Sequence, residues 1–228
     1  MPTTTPLTRE EVREAILDAV DRLLARYGYR KMTMDDIAHE VGIGKGTIYL
    51  HFASKEEVTL SHVDRIVERL KERLWALARS EADVSVRLRQ MLLTRVLFRF
   101  DSVQHYTQSL NDLLAALRPT LLARRARYFE EEARVFAEVL NEGQRTGVFL
   151  FRDAIETAFA LLHATNSLLP YSLSTTELGE REEIKEKTEQ IAELLLNGLL
   201  RDPLPARGRR RGRARNFQPT AKSNEEIL

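Results

Sequence analysis

Cysteine is absent from the 228 residues, which excludes disulfides and thiolate metal ligation and fits a reducing cytoplasm, the expected location. Long apolar runs are absent as well. None approaches the ~20 residues needed to span a bilayer, so no membrane partner is expected. The opening MPTTTPLTREE lacks the basic and apolar regions of a signal peptide. The five histidines, His39, His51, His62, His105 and His163, form no H-x-x-x-H pair, and with no thiolate beside them no metal site is expected. No G-x-S-x-G string marks a nucleophile. Gly42-Ile43-Gly44-Lys45-Gly46 lacks the preceding strand and the full spacing of a phosphate-binding loop. The acidic runs Glu130-Glu131-Glu132 and Glu180-Arg181-Glu182-Glu183 read as solvated helix faces rather than paired catalytic carboxylates. The expectation is a protein that is not an enzyme and carries no cofactor.

What is present is ordinary for a globular chain: 43% hydrophobic and 30% charged residues, in a length that holds one large or two small domains. The net charge of +1 conceals an asymmetry. Residues 201–228 hold eight Arg/Lys against three Asp/Glu, whereas residues 1–60 hold eight against ten. Any affinity of the N-terminal part for a polyanion must therefore come from a local patch.

The patterning is helical throughout, with no credible strand and no repeat. Residues 1–7 read as disordered. Thr8 with Glu11, Thr33 with Asp36, and Ser54 with Glu57 are capping boxes that fix three helix starts. Behind the first, Val12, Ile16, Ala19, Val20, Leu23 and Tyr27 recur at helical spacing up to Gly28. The third opens a long helix through Leu77. Further helices are expected near 84–100, over 103–117, from Pro119 to about Arg145 with Leu122 and Ala126 among its buried residues, over 153–169, and over 180–200. The penultimate one is apolar around too much of its girth for a single core, which suggests an interface. The stretch 201–228, rich in Arg and Gly, reads as a disordered basic tail, either a loose phosphate-binding arm or a solubilising extension.

The most informative stretch is TMDDIAHEVGIGKGTIYLHFASKEEV, residues 33–58. Ile37, Ala38 and Val41 share one face of a short helix. Gly42 stands where that helix must stop, and Ile48 and Phe52 give a second short helix its buried face. Gly46, Thr47 and Leu50 then turn outward, flanked by Tyr49 and His51. This is a helix-turn-helix pattern, in which one helix braces another placed in a DNA groove. Thr47 suits a base edge or a phosphate, Leu50 a thymine methyl, and Tyr49 and His51 phosphate oxygens. Lys45 lies at the helix start, Lys55 in the first turn of the next helix, and Thr33 offers a backbone N–H or hydroxyl.

The string T-x-x-x-I-A-x-x-x-G-I-x-x-G-T-I-Y-x-x-F-x-S-K-E-E resembles the DNA-binding head of the TetR (tetracycline repressor) family over roughly residues 9–60. Two positions depart from the usual pattern: Val41 where alanine is common, and Gly44 where serine is common. The resemblance implies an all-α fold of about nine helices. A three-helix head (residues 1–54) would precede a helical effector-binding and dimerisation domain (55–200) and the tail. It implies the same DNA contacts: Thr33, Lys45, Gly46, Thr47, Tyr49, Leu50, His51 and Lys55. It also implies a homodimer on a pseudo-palindromic double-stranded operator, paired through Ile155, Phe159, Leu162, Ile191, Leu195 and Leu199. A small, apolar effector would release this repressor from a pocket whose candidate residues are Trp75, Met91, Phe98, Tyr106, Phe129, His163 and Asn166. Two readings stay open beside it: an effector-independent DNA-binding regulator, and a helical protein–protein adaptor without DNA binding.

Overall fold

The computed structural model describes residues 8–106, 110–170 and 179–200. The leading residues 1–7 and the basic tail lie outside them. The described residues form eight α-helices: α1 (Arg9–Lys31), α2 (Met34–Val41), α3 (Lys45–Tyr49), α4 (Lys55–Ala78), α5 (Val84–Val103), α6 (Leu110–Arg145), α7 (Ala154–Ala164) and α8 (Arg181–Leu199). Short 3-10 turns cover Gln104–Tyr106 and Asn166–Leu168. The only extended pairing among the described residues is one isolated antiparallel bridge, Phe149 with Leu200.

The helix starts follow the local signals. Thr8 and Thr33 close full capping boxes with Glu11 and Asp36. The third box is half made. Ser54 accepts from the Glu57 amide, but the Glu57 carboxylate takes the Ala53 N–H at 2.6 Å. Gly28 interrupts the first helix, with a short continuation to Lys31.

Two departures from the expected pattern lie in α6. Pro119 does not begin a helix; it sits inside a continuous one of 36 residues. A proline there leaves the Ala115 carbonyl without its helical amide. Burial of Leu110, Leu113 and Leu117 before it, and of Tyr128, Ala133 and Phe136 after it, holds both halves in one rod. The expected stripe through Leu122 and Ala126 is not buried either; both are exposed. The inward face of this segment runs through Leu117 and Leu121 instead. The eight described helices, rather than nine, follow from this merger.

Two large apolar cores result, beside a small cluster of Val96, Phe100, Leu169 and Ile184. One lies under α1–α3: Ile16, Val20, Leu24, Ile37, Ile48 and Phe52 meet Val58 and Leu60 of α4, and the same core continues into Tyr106, Leu110, Leu113 and Leu117. The N-terminal helices thus share a core with the start of α6. The other core gathers Leu70, Leu74, Leu88, Leu92, Phe136 and Leu140 with Leu161 and Ala192. Helix α7 packs on α6, and α8 on α5.

Candidate functional site

The turn between α2 and α3 is set by Gly42, whose φ of 78° is left-handed and open to glycine without steric cost. Its amide and that of Ile43 both return to the Ala38 carbonyl, at 2.9 and 3.0 Å. Helix α2 is clamped to α1 by Arg22 and Arg26 on Glu40. Helix α3 is only five residues long and starts at Gly44 without a side-chain cap. Its stability comes from Ile48 and Phe52, both buried, with the Arg13 guanidinium 4.9 Å from the Phe52 ring centroid.

Fixing that face turns the other one out. Leu50 is 74% and Tyr49 47% exposed. Gly46 is exposed with nothing near its absent side chain, so a large planar partner can approach the backbone. Lys45 extends along the same edge and donates to Asp35 at 2.7 Å. That hydrogen bond raises its pKa above the ordinary lysine value, so the group is cationic and available to a stronger anion. Thr47 and His51 are half-buried at the margins.

The second feature lies between α4, α5 and α6. A cavity of about 680 Å³ is walled by Val63, Ile66, Val67, Val103, Leu113 and Leu114 and carries Arg99, Arg118, Arg125 and Glu132 as its charged lining. Two of its lining residues, His62 and Tyr106, belong to a polar chain that reaches α1. Arg65 lies 3.3 Å from His62 Nδ1, His62 Nε2 lies 2.9 Å from the Tyr106 hydroxyl, and that hydroxyl donates to Asp21. Since the phenolic proton goes to Asp21, the imidazole donates from Nε2 and accepts at Nδ1. Burial pulls the Asp21 carboxyl upward, but hydrogen bonds from His62 and Tyr106 outweigh it and hold the pKa well below the ordinary value. The Tyr106 phenol is pushed far up by burial and by Asp21. Arg65 also pairs with Glu14 and Asp18 of α1.

The sequence, read beside this geometry, matches the family model "Bacterial regulatory proteins, tetR family" over residues 16–61. That span takes in most of α1, all of α2 and α3, and the start of α4. Over that span the chain is similar to the TetR family. Among curated relatives it is 34% identical over 106 residues to the transcriptional activator FasR of Mycolicibacterium smegmatis, covering 45% of each chain. It is 27% identical over 141 residues to the repressor KstR2 of Mycobacterium tuberculosis, 60% of this chain and 68% of that one. The match thus spans less than half of FasR. The fold likeness is longer. A transcriptional regulator from Cytophaga hutchinsonii superposes with a TM-score of 0.70 at 22% identity, over 82% of this chain and 97% of that one. FadR from Bacillus subtilis, solved with stearoyl-CoA, superposes at 0.60 and 19% identity, over 81% and 98%.

On this frame the expected site residues divide. Gly46, Tyr49 and Leu50 lie together on the exposed side of α3, with Lys45 at its start and Thr47 and His51 at its margins. Thr33 stands apart in its bonding. Its N–H and hydroxyl both donate to the Asp36 carboxylate, so neither is offered outward. Lys55 turns inward, donating to the Tyr29 carbonyl at 3.0 Å and lying 4.5 Å from that ring's centroid.

Of the expected pocket residues, Tyr106 and Phe129 line the cavity and the others do not. Met91 is fully buried in the second core. Trp75 and Phe98 lie beneath Arg79 and Arg73. His163 is exposed and spends Nδ1 on the Phe159 carbonyl of its own helix, at 2.6 Å. Asn166 falls on the 3-10 turn beyond the end of α7. At the expected pairing face, Ile155, Phe159, Ile191, Leu195 and Leu199 are half-buried. Leu162 is not on that face; it is fully buried among the chain's own residues, because α7 turns it toward α6. Leu194, also on α8, is 74% exposed.

Glu132 corrects another expectation. It is not on a solvated face but fully buried between Arg95, at 2.8 Å, and Arg99. Burial alone would raise its pKa, and the two guanidinium groups lower it. Arg95 also donates to Thr165 at 2.9 Å, tying α5, α6 and the end of α7 into one ionic joint. No group of His and acidic residues among those described could hold a metal ion, and no described helix is long and apolar enough to cross a membrane.

Proposed function

We propose that this protein is a homodimeric, sequence-specific DNA-binding transcriptional regulator, a repressor released by a small, largely apolar effector. One observation carries it: α3 buries Ile48 and Phe52 and leaves Tyr49, Leu50, Gly46 and Lys45 outward on a rigid head. That is the arrangement a recognition helix needs in a major groove. Thr47 and Leu50 address base edges; Tyr49, His51 and Lys45 address phosphates, Lys45 exchanging Asp35 for a phosphate oxygen. Thr33 and Lys55 contribute by fixing the helix starts around that surface. The head, residues 1–54, carries this activity. The body, 55–200, carries pairing, through Ile155, Phe159, Ile191, Leu195 and Leu199 together with Leu194, and the effector site.

The cavity between α4, α5 and α6 suits the effector, and the ligand-bound state of the FadR neighbour supports that reading. An occupant would press on His62 and Tyr106, which link the cavity wall to Asp21 in the head. Displacing them shifts α1 against α4 and so changes the spacing of the two heads. To swing the population from 1:99 to 99:1, the effector must favour the released state by about 5.5 kcal/mol.

The test is a gel shift with DNA selected by the protein. Binding should weaken steeply with added salt. Thr47→Ala combined with Tyr49→Ala should lower affinity at least roughly tenfold, since each lost base or phosphate contact is worth about 1–3 kcal/mol. Unchanged affinity in the double variant would refute the assigned contacts.

A further inference from the structure

The start of α3 has a carboxylate beside it, and what that group can do on DNA rests on the DNA-binding reading above. Helix α2 opens with two adjacent acids that have different fates. Asp36 is spent on the fold: it accepts from the Thr33 N–H at 2.9 Å and from the Thr33 hydroxyl at 2.7 Å. The third acid of α2, Glu40, is held by Arg22 and Arg26 of α1. Asp35 neither caps a helix nor clamps α1. Its side chain is 66% exposed, and its ion pair among the described residues is the one with Lys45, at 2.7 Å. It therefore lies within one hydrogen bond of the first residue of α3, the end of a recognition helix that meets base edges.

A carboxylate at that place is costly on DNA. An exposed ion pair holds weakly, so a phosphate can take Lys45 away. Asp35 is then left unpaired against a polyanion, and a desolvated charged acceptor without a donor is strongly unfavourable. Relief has to come from a donor on the duplex. In the major groove guanine presents two acceptors, thymine an acceptor and a methyl group, and adenine an acceptor beside its amino donor. Cytosine alone presents a donor, its N4 amino group, with no acceptor of its own beside it. An ionised carboxylate accepts and cannot donate, so cytosine matches it and the other three bases repel it wholly or in part.

We propose that Asp35 is a specificity-determining residue: when Lys45 moves onto a phosphate, the Asp35 carboxylate accepts a hydrogen bond from a cytosine N4 amino group in each half-site and penalises any other base there. Lys45 supplies hold, and Asp35 supplies discrimination. The same carboxylate weakens binding to unrelated DNA, where no cytosine stands in register to satisfy it. A merely structural Asp35, complementing the positive end of α2, would act on stability and leave base preference alone.

Sequence selection from a random duplex pool, run with the native full chain, Asp35→Asn and Asp35→Ala, separates these roles when paired with thermal melts. The native protein should enrich cytosine at one fixed position of each half-site. Replacing that base should cost the native protein roughly tenfold or more in affinity, and Asp35→Ala less than about twofold. Asp35→Asn offers a donor and an acceptor together, so it should move the preference at that position toward adenine and leave the other positions as they were. Both variants should bind an unrelated duplex more tightly than the native protein does. Lys45→Ala should instead weaken all sequences alike and lower the salt slope by about one.

The same base preference at every position in native protein and both Asp35 variants, with or without a lower melting temperature, would overturn the proposal and leave DNA binding standing. A native half-site with no cytosine position that responds to residue 35 would do the same. Enrichment of no sequence by the native protein would bring down the DNA-binding reading, and this inference with it.

Discussion

At the scale of single residues, the polar chain Arg65–His62–Tyr106–Asp21 joins the head to the cavity, and it has a pH signature. The Asp21 pKa lies below its ordinary value of 3.8. Its contribution to stability is therefore complete above that value and is lost as pH falls toward the lower folded one. Asp21→Asn removes the titration. Thermal melts should show the native protein losing stability more steeply below about pH 4 than the variant does; parallel acid limbs would contradict the role given to Asp21. Which residues were legible in sequence follows from the reach of their partners. Thr8, Thr33 and Gly42 are governed by neighbours within four residues, Ile48 and Phe52 are marked by their four-residue spacing, and each sits where that local signal indicates. Glu132 and Lys55 were not legible. The partners of Glu132 lie on α5, 33 and 37 residues away, and the carbonyl that holds Lys55 lies 26 residues back.

At the scale of elements, α6 does two jobs and its sequence carries both. Its first half continues the head's core, and its second half is the spine of the body. Pro119 looked like a boundary because proline costs a helix one hydrogen bond; burial on both sides overrides that local cost. Position along α6 was therefore harder to read than membership of it. The far end of α6 depends on a close approach. A Cβ on Gly143 would fall 2.1 Å from Cδ2 of the buried Phe149 ring. Gly143→Ala should destabilise the fold by about 1–3 kcal/mol, read as a lower urea midpoint with unchanged slope. No change in midpoint would mean that the Phe149 ring is free to move aside.

At the scale of the whole molecule, the proposed pairing would turn a weak head into a specific one. Each head carries a local cationic edge on an acidic domain, so a single copy has little electrostatic hold on DNA. Two heads on a twofold axis meet half-sites roughly 34 Å or a multiple of it apart, and the second contact becomes intramolecular. Leu194→Glu places a charge on the exposed ridge of α8. Light scattering should show the proposed dimer giving way to monomer, with DNA affinity falling by about 10²-fold or more. A variant that remains dimeric would move the pairing surface elsewhere.

The central claim is that two copies of α3 read one duplex together. Selection of bound sequences from a random DNA pool tests it most directly. The account predicts enrichment of an inverted repeat whose half-sites are a helical turn or a multiple apart, lost when Thr47 and Tyr49 are both alanine. A pool that shows no enrichment, or a single half-site bound as tightly as the repeat, would contradict it.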